Sequence, residues 1–143
     1  MVNNVNLSRY HGQVPAGNNA DLIISNSPLY TPEEVLALLY QYGEDAVKPW
    51  TRVCVSDVQK MSFDNGDLVE LIKQALQSGR FINSQWCMQK PGGPWAACDS
   101  YHLRRQEWIA AAHKNMQCEY YIKYAIGKTG QLLLLASCHP PQY

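Results

Sequence analysis

The chain has no apolar run able to cross a membrane. A helical span needs roughly 20 such residues, and the longest stretch here, Leu132 to Ala136, suits a buried strand. It has no net charge, with 12 Lys and Arg against 12 Asp and Glu, whereas an indiscriminate nucleic-acid binder is normally basic. Its 5 cysteines, Cys54, Cys87, Cys98, Cys118 and Cys138, include no Cys-x-x-Cys pair. An odd number without paired spacing speaks against a disulfide framework and for reduced thiols. A zinc site drawn from Cys87, Cys98, Cys138 and His139 would lack the usual ligand spacing, and small buried hydrophobes are the simpler reading. No serine triad, metal-ligand helix or dinucleotide fingerprint occurs, and no cofactor is expected. The first ten residues carry no basic stretch followed by an apolar one, so neither a secretory signal nor a membrane partner is expected, and the cytoplasm is the expected location.

What is present fits one globular domain. At 143 residues, 46% hydrophobic and 17% charged, the chain is long enough to bury a core without disulfides. Zero net charge conceals an asymmetry. Residues 1–79 carry nine Asp and Glu against five Lys and Arg, and residues 80–143 carry three against seven. Such polarity points to an anionic partner for the C-terminal part.

Residues 1–30 read as an irregular N-terminal arm and 31–143 as the domain. Thr31-Pro-Glu-Glu34 is a capping box with proline at the first helical position. Val35, Leu36, Leu38, Leu39 and Tyr42 supply the apolar face up to Gly43. Arg52 to Ser56 reads either as a brief strand or as the lead into a helix. Asp64 or Asn65 caps a further helix with Leu68, Leu71, Ile72, Ala75 and Leu76 at helical spacing, stopped by Gly79. Gln85 to Pro94 reads as a loop, Trp95 to Leu103 as a strand, and the alanine-rich Gln106–Lys114 as a short helix. Two strands close the chain, Cys118–Ala125 and Leu132–His139, and Pro140-Pro141 end the last. The order predicts an α+β fold, a small antiparallel sheet with helices packed on one side.

Side chains reverse direction at each strand residue, so Glu119, Tyr121 and Lys123 share one face while Tyr120, Ile122 and Tyr124 share the other. A Tyr-x-Lys stripe beside His139 is a candidate acid–base–cation surface. It is equally what a half-solvated hairpin presents, and a tyrosine on a strand is more often a packing residue. Gly127-Lys-Thr-Gly130 lacks the Gly-x-x-x-x-Gly-Lys frame of a phosphate loop and reads as the hairpin turn.

The order Ala97-Cys-Asp-Ser-Tyr101, Glu119-Tyr-Tyr-Ile-Lys123, Leu132 to His139 resembles the MqsR-type toxins of bacterial type II toxin–antitoxin systems, RelE-like ribonucleases that cut messenger RNA. The likeness runs from about Val53 to His139. It implies a RelE-like fold, metal-independent endoribonuclease activity on single-stranded or ribosome-bound mRNA, and a cognate antitoxin as partner. The family's functional tyrosine and the lysine after it fall on Tyr121 and Lys123, its earlier Asp and Tyr on Asp99 and Tyr101, and its terminal-strand lysine on His139. That last exchange keeps proton transfer but lowers the reference pKa from about 10.4 to about 6.5. Cys98 stands where the family has glutamine, and Arg80 and Lys90 lie nearest to its helix lysine.

On this reading His139, Tyr121 and Lys123 are the candidate catalytic residues: base or acid, second proton-transfer group, and cation for the phosphorane charge. Arg104, Arg105 and Arg80 would hold phosphate, and Tyr101, Tyr121 and Trp95 would stack unpaired bases. The rival is a non-catalytic protein- or RNA-binding module using the basic C-terminal face, a reading the Cys98 exchange supports.

Overall fold

The computed structural model describes residues 3–15 and 22–139. Three helices pack against one six-stranded sheet. The first, α1 (Pro32–Tyr42), begins at the expected box, with Glu34 N–H donating to Thr31 Oγ1 at 3.2 Å and Thr31 N–H to Glu34 Oε2 at 2.8 Å. Its apolar stripe buries Val35, Leu38 and Leu39. The ambiguous Arg52–Ser56 segment is helical from its start: α2 spans Arg52–Met61, capped by Thr51, which accepts from Cys54 N–H at 3.0 Å. Then α3 (Asn65–Ser78) starts from Asp64 in a second reciprocal box, with Asp67 as its partner.

The strands are β1 (Ile23–Ser25), β2 (Val47–Pro49), β3 (Arg80–Met88), β4 (Trp95–Ile109), β5 (Lys114–Ile126) and β6 (Leu133–Cys138), in the order β1-β3-β4-β5-β6-β2. The sheet is larger than expected and mixed, because β2 joins β6 in parallel. Two segments differ from their expected form. Gln85–Met88 continues β3, paired to β4 from Gln85↔Cys98 to Met88↔Trp95, so that only the passage around Lys90-Pro-Gly-Gly-Pro94 turns. Gln106–Lys114 is not a helix. The β4–β5 ladder runs on to Ile109↔Lys114, with Ala110–Ala112 forming a single 3₁₀ turn at its tip. Nine residues of good propensity are marginal as an isolated helix, and each N–H and C=O placed in the ladder is satisfied by its neighbour strand. Arg105, Glu107 and Tyr120 lock this extension, with Arg105 Nη2 donating to Glu107 at 3.0 Å and Tyr120 O–H bonded to the same carboxylate.

The described part of the arm is irregular but stitched to the sheet. Leu7 N–H donates to Trp95 O at 2.9 Å, Trp95 N–H to Val5 O at 2.8 Å and Arg9 N–H to Ile126 O at 2.8 Å. Ile23–Ser25 within the expected arm forms the edge strand β1. Residues 1, 2 and 16–21, and Pro140-Pro141 beyond the last strand, lie outside the described residues. Among those described, no helix is long and apolar enough to cross a membrane.

Tyr101, Leu103, Tyr120, Ile122 and Tyr124 meet the helix residues in one core, where the rings of Tyr101 and Tyr124 stack at 6.0 Å. Asp99 is fully buried beside them. It accepts from Leu29 N–H at 2.9 Å, Tyr30 N–H at 3.0 Å and Ser84 Oγ at 2.6 Å. It thus ties the segment leading into α1 to the sheet and is no base. Replacing it with alanine leaves the N–H groups of Leu29 and Tyr30 without their acceptor, while Ser84 Oγ keeps Ser27 O at 3.1 Å, and is expected to cost about 2 kcal/mol. Burial pushes the Asp99 carboxyl above its ordinary value, against those hydrogen bonds. A raised folded-state pKa means that folding takes up a proton. The contribution is complete below about pH 4 and declines as pH rises through the folded-state value. Urea denaturation should therefore show the stability of wild type relative to Asp99→Asn falling as pH rises above about 4; a difference that grows with pH would contradict this assignment.

Candidate functional site

The pleat that sends Tyr120, Ile122 and Tyr124 into the core turns Glu119, Tyr121 and Lys123 to the other face. Residues directly opposite one another in an antiparallel ladder share a face. His102 is opposite Tyr121 and Ser100 opposite Lys123 on β4, and Ser137 is opposite Lys123 on β6. The register shifts between Lys123 and Tyr124, a bulge of the kind that re-aims a side chain. His139 follows β6 directly, its N–H donating to Tyr121 O at 3.3 Å.

Lys123 and His139 line one groove of about 470 Å³, together with Arg52, Cys87, Lys90 and Ser137. Its remaining walls include the apolar Leu22, Val53, Met88 and Pro91. The sequence alone did not bring α2 into this site. Thr51 Oγ–H donates to Ala136 O at 2.8 Å, docking the start of α2 on β6. One turn further on, buried Asp57 places Oδ2 3.5 Å from His139 Nδ1. That oxygen has no hydrogen-bond partner of its own and lies beside the imidazole, whose side chain stays half exposed at 51%. Tyr121 is 40% exposed and does not line the groove. It sits one step along the same face, its ring 4.8 Å from that of His102.

The other expected contacts divide by strand parity. Arg104 is on the open face, its Nε bonded to Glu119 at 2.9 Å, and Arg80 is exposed next to it. Arg105 is on the helix face, where it donates to Gln74 at 3.0 Å and lies 4.9 Å over the Tyr120 ring. Adjacent strand residues point in opposite directions, so Arg104 and Arg105 cannot grip one phosphate. Tyr101 and Trp95 are buried, at 4% and 6% exposure, and offer no ring face to a base. The zinc reading also fails. Cys138 is buried in the core, and among the described residues no group of three potential ligands assembles. In the Gly127–Gly130 turn, Lys128 N–H is taken by Leu7 O and Gly130 N–H by Gly127 O, so these amides are not available to cradle a phosphate. A larger cleft of about 710 Å³ runs along the arm at Arg9, His11 and Lys128 and shares no residue with the groove.

His102, Asp57 and Arg52 are not among the sequence's candidate site residues, and Cys87 enters there only as a possible zinc ligand. The parity of Ser100-x-His102-x-Arg104 on an expected strand was a usable signal for His102. For Asp57, on a segment of ambiguous type, there was none. In comparison with known proteins, no family model matches the chain, and neither a curated protein nor a solved structure does so at significance.

Cys87 gives the groove a chemical handle. A hydrogen bond with the Cys98 thiol, and then the charge of Lys123, hold its thiol below the ordinary value against burial, while Cys98 rises. Burial pushes Cys54 and Cys138 up to about 12 and raises Cys118 as well. Thiolate is the reactive form. Iodoacetamide on the native protein should therefore modify Cys87 first, as read by peptide mass spectrometry, and Lys123→Ala should slow it. Equal labelling of all five thiols would contradict this order.

Proposed function

We propose that the protein is a metal-independent endoribonuclease, the toxin half of a toxin–antitoxin pair, with a RelE-like fold and acting on single-stranded or ribosome-bound mRNA in the cytoplasm. The observation that carries this reading is the groove itself. Arg52, Lys90 and Lys123 line it, and the carboxylate beside it, Asp57, engages His139. Cations with apolar walls suit a single strand, whose phosphates need charge and whose bases need apolar surface.

His139, with the Asp57 carboxylate beside it, takes the proton of the ribose 2′-OH. The 2′-oxygen then attacks the adjacent phosphorus, and the bond to the 5′-oxygen breaks. Lys123 meets the negative charge that builds on the non-bridging oxygens. Tyr121, in ring contact with His102, is the second proton-transfer candidate, delivering a proton to the leaving 5′-oxygen. The products are a 2′,3′-cyclic phosphate and a 5′-hydroxyl. Bound antitoxin would block this face. One observation favours the non-catalytic alternative: Cys98, at the family's glutamine position, is fully buried with its Sγ 3.7 Å from Ala96 O, and it cannot reach a substrate.

Purified protein should cleave single-stranded RNA in EDTA, leaving cyclic phosphate ends. His139→Ala and Lys123→Ala should each lower the rate about 10²-fold or more, and Tyr121→Phe at least about tenfold. Expression should arrest growth, and the His139→Ala variant should relieve the arrest. No cleavage of any RNA, free or ribosomal, would reject the enzyme and leave the binding module.

A further inference from the structure

Beside the groove lies a second cavity of about 350 Å³, bounded by Ser78, Gly79, Arg80, His102 and Arg104. We propose that it binds a phosphate group, and that the phosphate belongs to the backbone of the strand whose neighbouring phosphate occupies the Lys123 groove. This deepens the reading above and rests on it for the identity of the strand.

Two arginines supply the charge. Arg80 is exposed and its side chain makes no hydrogen bond or ion pair among the described residues. Arg104 engages Glu119 through Nε at 2.9 Å, and its two terminal nitrogens carry no further bond among the described residues, so part of the guanidinium fork remains for a second anion. His102 completes the lining. It lines the cavity at 9% exposure, yet its Nε2 has no hydrogen-bond partner, and the nearest carboxylate oxygen, of Glu119, stands 3.8 Å away. Glu119 and the carbonyl end of α3, about half a charge, oppose the two guanidiniums without cancelling them. Gly79 N–H is taken by Ala75 O at 3.0 Å, so recognition falls to side chains.

Placement favours a strand over a free anion. His102 is opposite Tyr121, and Lys123 is two residues further along β5. The two sites are thus about 7 Å apart along the strands and about 5 Å across them, a step comparable to that between successive phosphates of an extended single strand. Tyr121 stands between them with its ring part-exposed, where a base can stack.

The test uses the full chain with inorganic phosphate, then with an all-2′-deoxy oligonucleotide, which lacks the attacking hydroxyl and isolates binding from cleavage. Both ligands should shift the His102 imidazole resonances, and His102→Gln should weaken both. Arg80→Gln and Arg104→Gln should each flatten the dependence of log K on log salt by about 0.7. On RNA, both should raise KM about tenfold with kcat nearly unchanged. Oligonucleotide binding with an unchanged salt slope in both arginine variants, or no response of His102 to either ligand, would overturn the proposal. Response to phosphate but not to the oligonucleotide would overturn the strand assignment. The expected binding in a protein that cleaves no RNA would uphold this site while rejecting the nuclease; cleavage with KM unchanged in both arginine variants would reject this site alone.

Discussion

The unbroken ladder from Asp99↔Tyr124 to Ile109↔Lys114 sets which side of the sheet each residue of β4 and β5 occupies. One face takes Tyr101, Leu103, Tyr120, Ile122 and Tyr124 into the core; the other presents His102, Arg104, Glu119, Tyr121 and Lys123. A slip of a single residue would exchange these sets, burying charge and exposing tyrosine. Core and candidate site are therefore two consequences of one register, held at its outer end by Arg105, Glu107 and Tyr120 and near its inner end by Asp99.

A sheet face alone is shallow, and here its depth comes from what is docked at the rim. Thr51 fastens α2 to β6, which supplies the groove with Arg52 and brings Asp57 to His139. The continuation of β3 to Met88 brings in Cys87, and the turn after it brings in Lys90. The cationic character of the site thus comes from three regions: the start of α2, the turn after β3 and the middle of β5.

Signals carried by neighbouring residues are legible in the sequence. Thr31-Pro-Glu-Glu34 and Asp64 mark helix starts because a cap is a contact among residues three apart. The Tyr121–Lys123 stripe is legible because strand parity is local. The misreadings are equally physical. Ala110–Ala112 and their neighbours favour helix intrinsically, but the β4–β5 ladder takes the neighbours and leaves the three alanines only its tip turn. Gln85–Met88 stands next to the turn-forming Lys90-Pro-Gly-Gly-Pro94, which colours its reading as loop, yet pairing with β4 makes it a strand. Arg104 and Arg105 look like a pair, and the extension of β4 sends them to opposite faces.

By itself the sequence determined where helices begin, which residues of β5 alternate and that positive charge outweighs negative in the C-terminal part, since each depends on composition or on residues within one turn or one pleat. Only the tertiary structure decided that Asp57 meets His139, that His102 faces Tyr121 and that Tyr101 and Trp95 are core. Those outcomes join positions as far apart as Asp57 and His139, and they follow from strand order and helix docking, which no short-range pattern encodes.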